Sequence, residues 1–173
     1  TQPERRGGRS LRIINETESN YSHMLTYHVY TDGSCKVNPG PGAAAVVFTT
    51  PEGEIVKEFV KAVPQTTNNR MEMLAVIGAL KAMEKAHLII FTDSQYVYNG
   101  ITSWIHGWKR NGWKTASKKP VENQDLWVEL DALKSGYSGE VEFRWVRGHN
   151  GSPGNERADV LAQQAAAALQ NSR

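Results

Sequence analysis

The sequence predicts an α/β fold: an antiparallel meander of three strands, then helices alternating with strands, the first of which lies parallel to the opening strand. Three observations carry this. Residues 26–63 hold three β-rich runs joined by short turns. Residues 71–86 have a helical period and pass at once into the continuous apolar run LIIFT. A second amphipathic stretch over 123–134 precedes a run that alternates apolar and polar residues.

The opening strand starts at Thr26, draws its β-rich character from Tyr27, Val29 and Tyr30, and stops at Asp32-Gly33 before a loop of Asn38, Pro39, Gly40, Pro41 and Gly42. Ala43 to Thr50 is the second strand and Ile55 to Val63 the third, with Pro51-Glu52-Gly53-Glu54 as the turn between them. Gln65 to Arg70 supplies cap residues for a helix over Met71 to Ala86, in which Met73, Val76, Ile77 and Leu80 form an apolar stripe facing the sheet. Leu88 to Thr92 is apolar throughout, as a strand covered on both faces is, and ends in Asp93. The helix ahead of it makes a right-handed crossover, so this strand runs parallel to the first and brings Asp93 to the sheet edge that holds Asp32. Trp104 and Trp108 share a helical face and Asn111-Gly112 breaks it, which predicts a helical hairpin with Trp104 in the core. Asn123 to Lys134 is a packing helix with Leu126, Trp127, Leu130 and Leu133 on one face. Glu140 to Val146 is the last strand, alternating through Val141, Phe143 and Trp145. From Asn155 a final helix presents Ala158, Leu161, Ala162 and Ala165 as a small-residue face.

At 173 residues the chain fits one domain with a sizeable core, here 26–169. Residues 1–25 are polar, include Arg5, Arg6 and Arg9, and show no period, as a flexible N-terminal extension does. Ser22-His23-Met24 also resembles a cloning junction, which would make that stretch vector-derived; 170–173 reads as a C-terminal tail. Apolar residues at 39% and charged residues at 22% suit a soluble monomer, and no apolar run is long enough to span a bilayer. The single cysteine, Cys35, excludes an internal disulfide and a thiolate zinc cluster and suits a reducing, cytoplasmic compartment. A net charge of +2 does not by itself mark a nucleic-acid binder. Its distribution is uneven, however. Ser94 to Val121 contains no acid, while Lys109, Arg110, Lys114, Lys118 and Lys119 interleave with Trp104, Trp108 and Trp113. Scattered lysines serve solubility; this interleaving suits phosphate contact combined with stacking or sugar packing.

Asp32, Glu72, Asp93 and Asp159 all fall at strand ends or near helix starts, and the topology gathers them at one end of the sheet. Each has an ordinary reading alone: Asp32 as a turn former, Glu72 as a complement to its helix dipole in the first turn. Together they repel and favour partial protonation unless a divalent cation binds among them. Oxygen ligands select a hard ion, Mg²⁺ or Mn²⁺, and two such ions about 3.5–4 Å apart suit phosphodiester cleavage. His149 lies in a glycine-flanked loop, where a lone histidine is usually a plain surface residue.

The segments TDGSCKVNPGPG, TTNNRMEM, FTDSQYV, GITSWIHGWKRNGWKT, KKPVENQDLW and WVRGHNGSPGNERAD occur in this order between Thr26 and about Ala168. In these motifs the chain resembles ribonuclease HI of the bacterial type. The resemblance implies an RNase H-like fold, a mixed five-stranded sheet flanked by helices, and endonucleolytic cleavage of the RNA strand in RNA–DNA hybrids to 3′-hydroxyl and 5′-phosphate ends. It implies that Asp32, Glu72, Asp93 and Asp159 are the catalytic metal ligands, for Mg²⁺ or Mn²⁺ and with two ions when substrate is bound. His149 matches a catalytic histidine that assists proton transfer or product departure. Asn38, Asn68, Asn69 and Gln95 match residues that contact the hybrid's minor groove, and Trp104, Trp108, Lys109, Arg110, Trp113 and Lys114 match a basic protrusion that holds the DNA strand. Two departures stand out: Ala43, Ala44 and Ala45 where relatives often have glycines, and Gly154 at a loop position where a charge is expected. The competing readings are a hybrid-binding module without chemistry, another nuclease of the same fold, and a domain cut from a reverse transcriptase polyprotein. The four acids oppose the first, and the TTNNRME and basic segments oppose the second.

Overall fold

The structure, a computed structural model, describes residues 24–148 and 151–172. Its centre is a five-stranded sheet in the order β3-β2-β1-β4-β5. The strands are β1 (Thr26–Ser34), β2 (Gly40–Thr49), β3 (Ile55–Thr66), β4 (His87–Thr92) and β5 (Glu140–Trp145). The first three form the antiparallel meander, β4 runs parallel to β1 and β5 parallel to β4. The helices are α1 (Asn68–Ala82), α2 (Gln95–Asn99), α3 (Ile105–Arg110), α4 (Gln124–Ser135) and α5 (Pro153–Asn171), and a π-helical stretch, Gly100–Trp104, joins α2 to α3. The expected extension falls, up to residue 23, outside the described residues, as does His149. Helix α5 runs on to Asn171, into the stretch expected as a tail.

Alternation along β2 sends side chains to two cores. Val46 and Phe48 join Val29, Leu88 and Ile90 against α1, where all four residues of the expected stripe, Met73, Val76, Ile77 and Leu80, are buried. Ala45 and Val47 face the other way, onto Ala158 and Ala162 of α5. The first core is much the larger and includes Trp127 and Leu130 of α4 and Ile101 and Ile105 beyond α2. Fully burying each such large side chain contributes about 1.5–3 kcal/mol, so most of the stabilisation lies on the α1 side. Ion pairs between elements, among them Arg70–Asp125, Lys81–Glu129, Lys109–Asp131 and Arg157–Glu58, are partly exposed, so they fix geometry more than they add stability.

Several element ends differ from expectation for identifiable reasons. Strand β1 continues through Asp32 to Ser34, because Asp32, Gly33 and Ser34 pair with Ala45, Ala44 and Ala43 of β2. Helix α1 starts at Asn68 because the Thr67 hydroxyl accepts from the Arg70 N–H at 3.2 Å. Glu72 consequently lies beyond the first turn, where the helix dipole no longer accounts for it. The expected helical hairpin is a single helical arm. Gly112 and Trp113 take left-handed backbones, with φ of 66° and 63°, and the return path is an irregular loop closed by a Lys114–Pro120 bridge. Trp104 is 43% exposed; the core position belongs to Trp127, which is fully buried. Trp145 is 40% exposed at the end of β5. Gly154 lies in the first turn of α5 rather than in a loop, and a Cβ there would fall 2.3 Å from the Tyr30 ring, so the expected charged residue has no room.

Candidate active site

Strand register builds the site. Tyr30 pairs with Phe91 across the parallel β1–β4 ladder, and two residues further on Asp32, still paired with Ala45 of β2, stands beside Asp93, the first residue past the end of β4. Glu72 reaches them from α1, which approaches β1 unusually closely. A Cβ on Gly33 would lie 2.6 Å from the Glu72 backbone nitrogen and 2.8 Å from the Met71 carbonyl carbon, so only glycine permits this contact. Asp32, Glu72 and Asp93 each bring a carboxylate oxygen to within 4.8 Å of the others.

The electrostatics of this triad are unfavourable without a counter-charge. Asp32 is buried, and burial, hydrogen bonding with Asp159 and the charge of Asp93 push its pKa up to about 8. Burial, then the charges of Asp32 and Asp93, holds Glu72 well above the usual carboxylate range. Glu72 Oε2 is enclosed and has no hydrogen-bond partner. An unsatisfied carboxylate oxygen between two more carboxylates, with all-oxygen donors, is a suitable seat for a hard divalent cation.

Asp159 stands in the second turn of α5, outside the tight triad but near enough to raise the Asp32 pKa. Gln163, one turn on, donates its Nε2 to both Asp159 oxygens at 3.0 and 3.1 Å. The expected hybrid contacts sit on the β1–β2 loop, in the first turn of α1 and at the start of α2. Asn38 is exposed, and its Oδ1 accepts from the Asn68 backbone N–H at 3.2 Å, linking the β1–β2 loop to the start of α1. Asn69 is half-buried and Gln95 exposed.

The basic segment divides into a support and a surface. Trp108 packs against Trp127 and Trp104, with ring centroids 5.3 and 5.9 Å apart, and Trp113 also leans on the core. Lys109 is paired with Asp131 of α4 at 3.2 Å. Arg110 and Lys114 are exposed.

Four supporting roles had no clear sequence signal. These are the Gly33 approach, the Gly154–Tyr30 notch, Gln163, and Trp145, whose Nε1 donates to the Asp93 main-chain oxygen at 3.1 Å. Asn123 is a fifth. It takes a left-handed backbone at φ 58°, donates its Nδ2 to the Tyr96 hydroxyl at 3.0 Å and accepts from Arg70 at 3.3 Å, tying α1, α2 and α4 together.

The sequence profile of the ribonuclease H family matches residues 25–167. Ribonuclease H of a Polaromonas species is 50% identical over 152 residues, covering 87% of this chain and 94% of the relative. Ribonuclease HI of Neisseria meningitidis serogroup B is 55% identical over 143 residues, covering 82% and 96%. Among solved structures, LC9-RNase H1, described as a type 1 RNase H with the type 2 active-site motif, is 38% identical with a TM-score of 0.72, covering 84% of this chain and 74% of that one. RNase H1 of Halobacterium salinarum is 28% identical with a TM-score of 0.64, covering 83% and 98%.

Proposed function

The chain belongs to the ribonuclease H family, and on that premise we propose how its site works: the enzyme hydrolyses the RNA strand of RNA–DNA hybrids, leaving 3′-hydroxyl and 5′-phosphate ends. The observation that carries the reading is the Asp32–Glu72–Asp93 cluster with its enclosed, unpartnered Glu72 oxygen. The family depends on divalent metal; Mg²⁺, with Mn²⁺ as a substitute and two ions once substrate is bound, suits these donors and the facing Asp159. When bound, the metal supplies charge neutralisation at the scissile phosphate and lowers the pKa of the attacking water. Asp32, Glu72, Asp93 and Asp159 would hold it. Asn38, Asn68, Asn69 and Gln95 hold the RNA strand through its 2′-hydroxyls, which their amides can both donate to and accept from. That preference separates a hybrid from duplex DNA. His149 moves a proton or eases the product out. The enzyme works as a monomer in the cytoplasm.

The decisive experiment offers a labelled RNA–DNA hybrid beside single-stranded RNA, duplex RNA and duplex DNA, with Mg²⁺ and then with EDTA. Cutting confined to the hybrid's RNA strand and lost with EDTA is expected; cutting of duplex DNA would overturn the reading.

The DNA strand is assigned to the exposed cations, with Trp104, Trp108 and Trp113 forming the platform beneath it and Lys109 bracing that platform on α4. Because Trp108 also packs on Trp127, its truncation perturbs folding as well as binding. Arg110→Ala with Lys114→Ala is the cleaner test. The pair is expected to raise KM several-fold with kcat nearly constant, and to reduce the log–log salt slope of binding by about 2. An unchanged slope would remove these two cations from the interface.

A further inference from the structure

A shallow depression of about 290 Å³ opens beside Asp93, lined by Gln95, Tyr98 and Asn99 of α2 and by Trp145 at the end of β5. Its place follows from strand order. Along the catalytic end of the sheet, the β1–β2 loop with Asn38 comes first, then Asp32 on β1, Asp93 after β4 and Trp145 on β5. The depression therefore lies across Asp93 from Asn38 and Asn68, and Gln95 borders both Asp93 and the depression.

Its chemistry is selective. None of the lining side chains is charged, so a phosphate finds no counter-ion there. Two amides and a phenol supply donors and acceptors, and the indole supplies a flat apolar surface. Trp145 is 40% exposed, yet its Nε1 is committed to the Asp93 main-chain oxygen at 3.1 Å, so the ring is fixed in place while part of it stays open to solvent. A fixed apolar surface bordered by amides suits a sugar bearing a hydroxyl, with no requirement for a particular base.

We infer that this depression is a ribose subsite for the RNA strand, next to the scissile phosphate on the side opposite Asn38 and Asn68, with Trp145 packing on the sugar and Asn99 bonding its 2′-hydroxyl. The inference rests on the hybrid-cleaving reading above and extends the RNA contact past the catalytic acids. Trp145 also acts as a positioning residue for Asp93 through its Nε1.

The test uses hybrids with one cleavage position and a single 2′-deoxy substitution moved along the RNA strand. With the native enzyme, one substitution on the Trp145 side raises KM about fivefold, the loss expected for one hydrogen bond to the hydroxyl. In Asn99→Ala and Trp145→Ala that sensitivity disappears while the sensitivities on the Asn38 side remain. Trp145→Phe keeps a ring on the sugar and loses the Nε1 donor, so it retains the KM sensitivity and lowers kcat. Circular dichroism checks folding, and Asn99→Ala, a helical residue outside the main core, decides the matter if Trp145→Ala unfolds. If both variants leave every 2′-deoxy sensitivity unchanged, or if no such sensitivity exists on that side, the subsite is refuted while hybrid cleavage by the native enzyme stands. Failure of the native enzyme to cut any hybrid refutes the functional reading instead.

Discussion

Asp32→Asn is expected to lower hybrid cleavage on the order of 10³-fold, to leave hybrid binding intact, and to raise the melting temperature of the cation-free protein. The loss follows from removing a ligand at the centre of the acidic cluster, where metal assistance is worth several kcal/mol of the barrier. The gain in stability follows from Asp32's pKa being pushed up to about 8 by burial and by its acidic neighbours. A carboxylate raised in the fold binds its proton more tightly there than in the unfolded chain. Its stabilising contribution is complete below the ordinary carboxylate range and is lost as pH rises towards about 8. At pH 7 the cation-free native protein carries that cost, and the neutral amide does not. A difference of about 2 kcal/mol, or roughly 4–8 °C for a chain of this size, is expected near pH 7 and shrinks towards pH 5, where the same carboxyl in the unfolded chain also begins to bind its proton. Added Mg²⁺ should stabilise the native protein and leave the variant nearly unmoved. Full activity, or a lower melting temperature at pH 7, would refute this account.

Gly33→Ala tests the same site through the backbone. The added methyl would fall 2.6 Å from the Glu72 nitrogen, and backbone yields less readily than a side chain tip. Forcing α1 away from β1 should cost about 3 kcal/mol. Because Glu72 moves with the helix, kcat should fall about 10²-fold, the loss typical of an ångström's displacement in a catalytic group. Thermal melts beside single-turnover cleavage check both effects. An unchanged melting temperature would mean that α1 rides up at little cost and that the close approach is not required.

The sheet was legible because its strands carry period two or an unbroken apolar run, and the crossover rule then oriented β4. The acidic triad was legible for the same reason, since strand order dictates that Asp32 and Asp93 share an edge. What was hidden depends on contacts between distant segments. The extension of β1 through Ser34 depends on pairing with Ala43–Ala45, three alanines that read on their own as a departure from the family. Gly154 looked like a missing charge until Tyr30 was found against it. Trp104, Trp127 and Trp145 have similar local patterns, and only packing separates the buried one from the two exposed ones. Lys109 looked like a free cation because its partner, Asp131, lies on another helix. The proton-transfer assignment for His149 stays a proposal drawn from the motif.

The thin seam between α5 and the meander has a consequence for biosynthesis. Residues 24–148 leave the ribosome before α5, and at about 5–20 residues per second the helix follows within seconds. During that interval the outer face of the meander is bare, and in this seam it offers a small apolar patch of Ala45, Val47 and the Tyr30 ring. Asp32, Glu72 and Asp93 already lie on emerged segments, while Asp159 arrives only with the last helix. A half-made chain thus carries a place for a cation before it carries a complete nuclease.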